Sequence, residues 1–287
     1  LTVQDKSVQH MLLAGFFFAI MNVCVKYVTH LPTLEVVLFR SVFSLIVTYY
    51  LLRKNNIPPL GKNIGTLTLR GIAGCLGLIG SFYTLQHIPL ASAVTINYLS
   101  PFFTAILGIF IVKQKVRAIQ FLYFAISITG VILLKGFDFR ISTLDLIIGL
   151  GAAFFAGVAY NMIAKAKNDE HPLVIIFYFP LLTIPVAAVY CLYDWVTPIG
   201  IDWFYLLLIG VFTQLAQYYM TLSYQTANLA KVASLNYLGV IYALGFGYFI
   251  FDESFNTMSF VAIGIILIGV FLNLFDQKIF GKFKKTG

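Results

Sequence analysis

Charge is the scarcest ingredient of this chain: Asp, Glu, Lys and Arg make up 10% of its 287 residues, against about 25% in a soluble globular domain. With 60% of the residues hydrophobic, an ordinary soluble domain is excluded. Acids are missing from the middle of every long apolar stretch; all 11 sit in loops or near helix ends. A proton relay through a buried carboxylate, a common device of pumps, therefore lacks its main part. His10, His30, His87 and His171 lie near loops or helix ends and offer no substitute. No G-x-x-x-x-G-K-[ST] stretch is present, so the chain carries no P-loop ATPase. The three cysteines, Cys24, Cys75 and Cys191, stand far apart inside apolar runs. They give neither a disulfide framework nor metal-ligand spacing and read as small buried hydrophobes. No cofactor is expected. Without a convergent nucleophile, base or metal set, an intramembrane lipid-modifying enzyme is a weaker alternative, as is a non-transporting membrane scaffold.

What the chain has instead is apolar length. Stretches of about 20 residues, enough to cross a hydrocarbon core of about 30 Å, predict an all-α polytopic membrane protein. Ten spans are expected at 9–29, 33–52, 68–87, 91–112, 117–135, 144–165, 172–193, 203–225, 230–251 and 257–276. Leu31-Pro32, Pro58-Pro59, Ile88-Pro89, His171-Pro172 and Thr197-Pro198 fall between spans, where a missing amide hydrogen costs least. Asp5 and Lys6 precede a full-length span, which is not a signal-peptide pattern, and Leu1 in place of Met suggests a trimmed sequence.

The net charge of +8 is a topology signal rather than a nucleic-acid footprint. Arg53, Lys54, Lys62, Arg70, Lys113, Lys115, Arg117, Lys165, Lys167, Lys231 and the tail lysines collect on one side. By the positive-inside rule that side is cytoplasmic, with both termini on it, in a plasma (inner) membrane.

Residues also recur 139 positions later. Asn22 and Lys26 return as Asn161 and Lys165, Gln86 as Gln225, and Leu90, Ala91, Asn97, Tyr98 and Leu99 as Leu229, Ala230, Asn236, Tyr237 and Leu238. The chain reads as two units, 1–138 and 139–287, of five helices each. Five is odd, so the second unit enters the membrane from the opposite side, giving inverted repeats suited to alternating access.

Asn22-Val-Cys-Val-Lys26-Tyr27, Glu35 with Phe39-Arg40, Leu69-Arg70-Gly71, Phe82-Tyr83, Ile88-Pro89-Leu90-Ala91-Ser92-Ala93, Tyr98 and Pro101 together resemble EamA-type members of the drug/metabolite transporter superfamily. The resemblance implies ten helices and a central cavity lined by the first, third and fourth helices of each repeat. It also implies transport of small organic metabolites, with relatives assigned to S-adenosylmethionine, organic anions or amino acids. The acid common after the fourth helix of a repeat is Glu253 in one copy and Gln114 in the other.

Polar residues within spans are the site candidates. Asn22, Asn97, Asn161 and Asn236 are well inside theirs and need a partner or a wet cavity. Tyr83, Tyr98, Tyr160 and Tyr237 lie beside or near them. Gln214, Gln217, Tyr218, Thr221 and Tyr224 make span eight polar, with Gln217, Thr221 and Tyr224 on one face; interhelical bonding is the alternative. Lys26 and Lys165 are expected to offer an anionic group one cation at each mouth, unless Lys26 merely snorkels. Arg40 is expected to be structural, pairing with Glu35 or capping carbonyl groups away from the cavity. Gly71, Gly74, Gly77 and Gly80 read as helix packing. A facilitator or exchanger of a zwitterion or organic anion is the expected function, with a small-molecule substrate, a bilayer, no nucleic acid, and a monomer or homodimer.

Overall fold

Proline and short polar side chains set where the helices start. In a computed structural model, which describes residues 3–97, 99–113, 118–138, 140–226, 238–254 and 256–283, eleven helices and no strand occur among the described residues. They are α1 (Val3–Tyr27), α2 (Thr33–Lys54), α3 (Ile64–His87), α4 (Leu90–Asn97), α5 (Ser100–Ile111), α6 (Ala118–Phe137), α7 (Thr143–Lys165), α8 (Pro172–Cys191), α9 (Asp202–Thr226), α10 (Leu238–Phe251) and α11 (Thr257–Phe283). Pro32, at φ −53° and ψ 136°, holds the chain extended just before α2. The Asn63 side chain accepts from Thr66 N at 3.2 Å to cap α3. Ser142 and Asp145 cap α7 reciprocally, at 3.1 and 2.9 Å, which satisfies two amides that the helix cannot.

Seven segments are long and apolar enough to cross a membrane, α4 and α5 counting as one, and three shorter apolar helices (Phe121–Leu134, Tyr242–Phe251, Thr257–Gly269) fall within the other three expected spans. The fourth crossing is not the continuous helix expected over 91–112. Among the described residues α4 runs to Asn97, Leu99 is a turn, and α5 starts at Ser100 with Pro101 in its first turn. Proline has no amide to give the carbonyl four residues back, here that of Asn97. α3 also starts at Ile64, earlier than expected. Large apolar side chains such as Phe249 (82% exposed) and Phe110 (76%) point outward from the bundle, as a lipid-facing surface requires.

The packing follows the 139-residue repeat. α1 lies along α9, and α3 along α7; shifting one pair by 139 residues gives the other. α2 crosses α8, and α6 crosses α11, each helix meeting its own counterpart. Among tails as apolar as leucine, close approach rather than water exclusion holds helices together. A methyl on Gly77 would stand 3.1 Å from Ala156 N, and one on Gly80 3.2 Å from Ile148 O, so the α3–α7 contact depends on those missing side chains. Twin hydrogen bonds mark the repeat at atomic detail. Gln86 Nε2 donates to Leu31 O at 3.1 Å, and its counterpart Gln225 Nε2 donates to Glu170 O at 2.9 Å.

Candidate functional site

Between the two halves lies a cavity of about 160 Å³. α1, α3 and the α4–α5 break contribute Asn22, Ser81, Asn97 and Ser100, while α7 and α9 contribute Ala152, Ala156, Tyr160 and Gln217. α2 and α8 also reach it, through Arg40 and Phe179. The wall is mostly apolar, with a few convergent polar groups, the usual composition of a small-molecule site.

Its two charged side chains are both cations. Arg40 and Arg70 are each 2% exposed. Arg40 Nε donates to Thr213 Oγ1 at 3.0 Å, and its guanidinium carbon lies 5.0 Å from the Phe179 ring centre and 5.6 Å from that of Phe82. Arg70 lies 4.9 Å from the same Phe179 ring and reaches Gln217 Oε1 only at 3.4 Å. Its Nε and Nη1 have no acceptor. Among the described residues no carboxylate pairs with either arginine. A contact with an aromatic face offsets roughly 0.5–2 kcal/mol, whereas a buried ion retains a penalty of several kcal/mol and each unpaired buried donor adds about 1–3 kcal/mol. The neighbours therefore leave Arg70, in particular, short of partners. Gly74 makes its position possible, because a methyl there would collide with Arg70 Nη1 and stand 2.8 Å from the Phe179 ring.

Both arginines correct the expectation from sequence. Arg40 does not pair with Glu35, whose Oε2 accepts from Val196 N at 3.0 Å near the end of the bundle; it lines the cavity. Arg70 was counted with the loop charges, but α3 starts at Ile64, so Arg70 is nearly two turns inside it. One signal could have found the depth of both. The counterparts of Arg40 and Arg70 are Phe179 and Ile209, apolar residues well inside their spans, so both arginines stand within spans rather than in loops.

Of the residues singled out in the sequence, Asn22, Asn97, Tyr160 and Gln217 line the cavity. Asn97 is steadied by Ser81 and Thr84, at 3.3 Å each. Asn161 does not line it; it is fully buried and donates to Thr104 O and Gly157 O, both at 2.9 Å. Gln214 is drawn to α2, accepting from Ser44 at 2.6 Å and donating to Thr48 at 2.8 Å. Thr221 is buried away from the cavity wall, and Tyr224 stacks behind Tyr160 at 4.9 Å. Tyr218 is 37% exposed on the outside of the bundle. Tyr83 stacks on His87 at 3.9 Å. The polar wall expected along α9 thus reduces to Gln217, because Gln214 is spent on α2, Tyr218 turns outward, and Thr221 and Tyr224 are buried behind the wall. Tyr98, Asn236 and Tyr237 lie outside the described residues.

Lys26 and Lys165 do not bracket the cavity. Lys165 is exposed at the end of α7. Lys26 Nζ donates to Ile88 O at 2.6 Å and sits 3.5 Å from Glu253 Oε1, which also accepts from Leu90 N at 2.8 Å. This ties α1, the α3–α4 turn and the chain just after α10 together at the far end of the bundle, opposite the α1 N-terminus. Tyr27 adds ring contacts there, stacking on Tyr205 at 4.9 Å and leaning on Phe251 at 5.2 Å. His30 and Asp202 meet there too, at 3.0 Å. At the near end, Glu170 Oε1 accepts from Lys62 N at 2.6 Å and Asn63 N at 2.5 Å.

Comparison with known proteins agrees with this architecture. The model of the EamA-like transporter family matches residues 6–135 and again 143–275. The pseudopaline exporter CntI of Pseudomonas aeruginosa is 29% identical over 259 residues, 89% of this chain and 91% of that one. Human solute carrier family 35 member G1 is 29% identical over 84% of this chain and 71% of its own. The S-adenosylmethionine uptake transporter of Rickettsia prowazekii is 26% identical over 87% and 85%. A solved crystal structure superposes with a TM-score of 0.68 at 15% identity, covering 95% of this chain and 98% of that one, which speaks for the fold alone. With the family model matching nearly the whole chain in two consecutive copies, the protein belongs to the EamA-like transporter family and is a membrane transporter of the drug/metabolite transporter superfamily, not an enzyme.

Proposed function

We propose that this transporter moves a small organic anion across a plasma (inner) membrane by alternating access, as a facilitator or exchanger. The observation that carries the reading is the pair of buried, carboxylate-free arginines on the cavity wall. A transporter for cations or neutral solutes gains nothing from two desolvated guanidinium groups, whereas an anion completes their hydrogen bonds and cancels their charge. Arg40, Arg70, Asn22, Asn97, Tyr160 and Gln217 bind the substrate. Of the classes expected from sequence, carboxylates fit best, and S-adenosylmethionine, with its sulfonium cation, fits least. The two halves divide near residues 138 and 139, in the gap between the two family matches, and rock against each other with both termini cytoplasmic.

Proteoliposomes containing the purified protein and a panel of labelled carboxylates, phosphate esters, amino acids and nucleosides test the reading. Saturable uptake of an anion, accelerated by unlabelled anion on the opposite side, is expected. Uptake confined to neutral or cationic members of the panel would overturn it.

A further inference from the structure

We infer that the cavity is built for a short-chain dicarboxylate, one carboxylate engaging Arg40 and the other Arg70; this rests on the anion-transport reading and narrows it. Charge comes first. A monoanion neutralises one buried guanidinium and leaves the other uncompensated, while a dianion discharges both.

Geometry comes second. Both guanidinium carbons lie about 5 Å from the centre of the same ring, that of Phe179, so they are at most about 10 Å apart. Each presents a planar fork that takes a carboxylate through two parallel bonds of about 2.7–2.9 Å. On Arg70, Nε and Nη1 are unclaimed and buried, and each makes a fork with Nη2, whose contact with Gln217 Oε1 is long, at 3.4 Å. Two separate anionic groups joined by a spacer match two forks better than one compact group does.

Size comes third. About 160 Å³ is close to a cavity of about 150 Å³ that accommodates benzene, which limits the spacer to a few carbons. Gly74, Gly77, Ala152 and Ala156 line the cavity and offer a methylene spacer a smooth apolar wall without a competing polar group.

The test is binding of succinate, glutarate, butyrate, glycerol 3-phosphate and inorganic phosphate to the full-length protein in lipid nanodiscs, by calorimetry and thermal shift. Succinate and glutarate are expected to bind at least about tenfold more tightly than butyrate, the yield of one further charge-assisted contact. That ratio should fall towards one in both Arg40→Gln and Arg70→Gln. Should either glutamine variant fail to fold, Arg40→Lys and Arg70→Lys replace it; they keep the charge but lose the fork, and should lower the ratio part of the way. The wild-type ratio decides independently of every variant. Butyrate, glycerol 3-phosphate or phosphate binding as tightly as the dicarboxylates would overturn the two-point site and leave anion transport standing. No binding or flux of any anion would overturn both.

Discussion

The Lys26–Glu253 pair offers a quantitative test of how the far end is held together. Glu253 accepts from Leu90 N and faces the Lys26 ammonium, which also holds Ile88 O. Glu253→Gln keeps an oxygen for Leu90 N but leaves the ammonium against a neutral amide. Stripping one partner from a buried pair costs about 3–5 kcal/mol. Here the lysine side chain retains 16% exposure and its bond to the Ile88 carbonyl, so the expected loss is about 2 kcal/mol. Lys26→Met loses both of its contacts and strands the carboxylate, at a similar cost. The double variant removes both charges together, so it should lose less than the two singles combined, by about 1 kcal/mol or more. Thermal unfolding of the four proteins in detergent measures this; at about 2–4 °C per kcal/mol, Glu253→Gln should melt about 4–8 °C lower. Single effects that add to within about 0.3 kcal/mol would mean the side chains do not sense each other, and the packing of the far end would need another explanation.

Three further outcomes are expected. Gly74→Ala should cost about 1–3 kcal/mol by overpacking and weaken anion binding, whereas Gly151→Ala, with nothing within 4 Å of the new methyl, should gain up to about 1 kcal/mol of helix propensity; equal melting shifts would mean the Arg70 side chain does not pack over Gly74. Asn161→Ala should lose about 1–2 kcal/mol for its two bonds and leave the half-saturation concentration unchanged. Asn22→Ala should do the reverse in melting and uptake assays, and the opposite pattern would put Asn161 on the substrate path. Gln86→Ala and Gln225→Ala should speed hydrogen exchange at the α1–α2 turn and the α7–α8 turn respectively, each sparing the other turn, since Gln86 fastens the Val28 and Leu31 carbonyls and Gln225 the Glu170 carbonyl.

Apolar length and the repeat were legible in the chain because both are one-dimensional, and the described helices fall close to where spans are expected, the start of the ninth lying outside the described residues. The α4–α5 break was only half legible: Pro101 signals a kink, but whether the helix bends or restarts depends on what packs around it. The site was harder to read, since depth along a helix can be counted from sequence but the face it turns inward cannot. Arg40 was read at the right depth and on the wrong face. Lys26 shows the same limit from the other side, because its partner Glu253 comes from the far repeat. α9 misled through its richness, as nothing in the local sequence separates Gln217, which faces the cavity, from Gln214, which clamps α2.

The α6–α11 crossing has a wider consequence. Ser127 Oγ reaches Ile266 O at 3.3 Å, a methyl on Gly130 would stand 3.0 Å from Ala262 O, and one on Gly269 2.6 Å from Tyr123 O. These are one set of positions seen from both sides, an isologous seam inside a single polypeptide. Interchanging the halves returns the same seam, so it is indifferent to which mouth is shut. Under the alternating access proposed above, any bias in resting orientation originates where the duplication has drifted, as at Glu253 against Gln114 and Arg40 against Phe179.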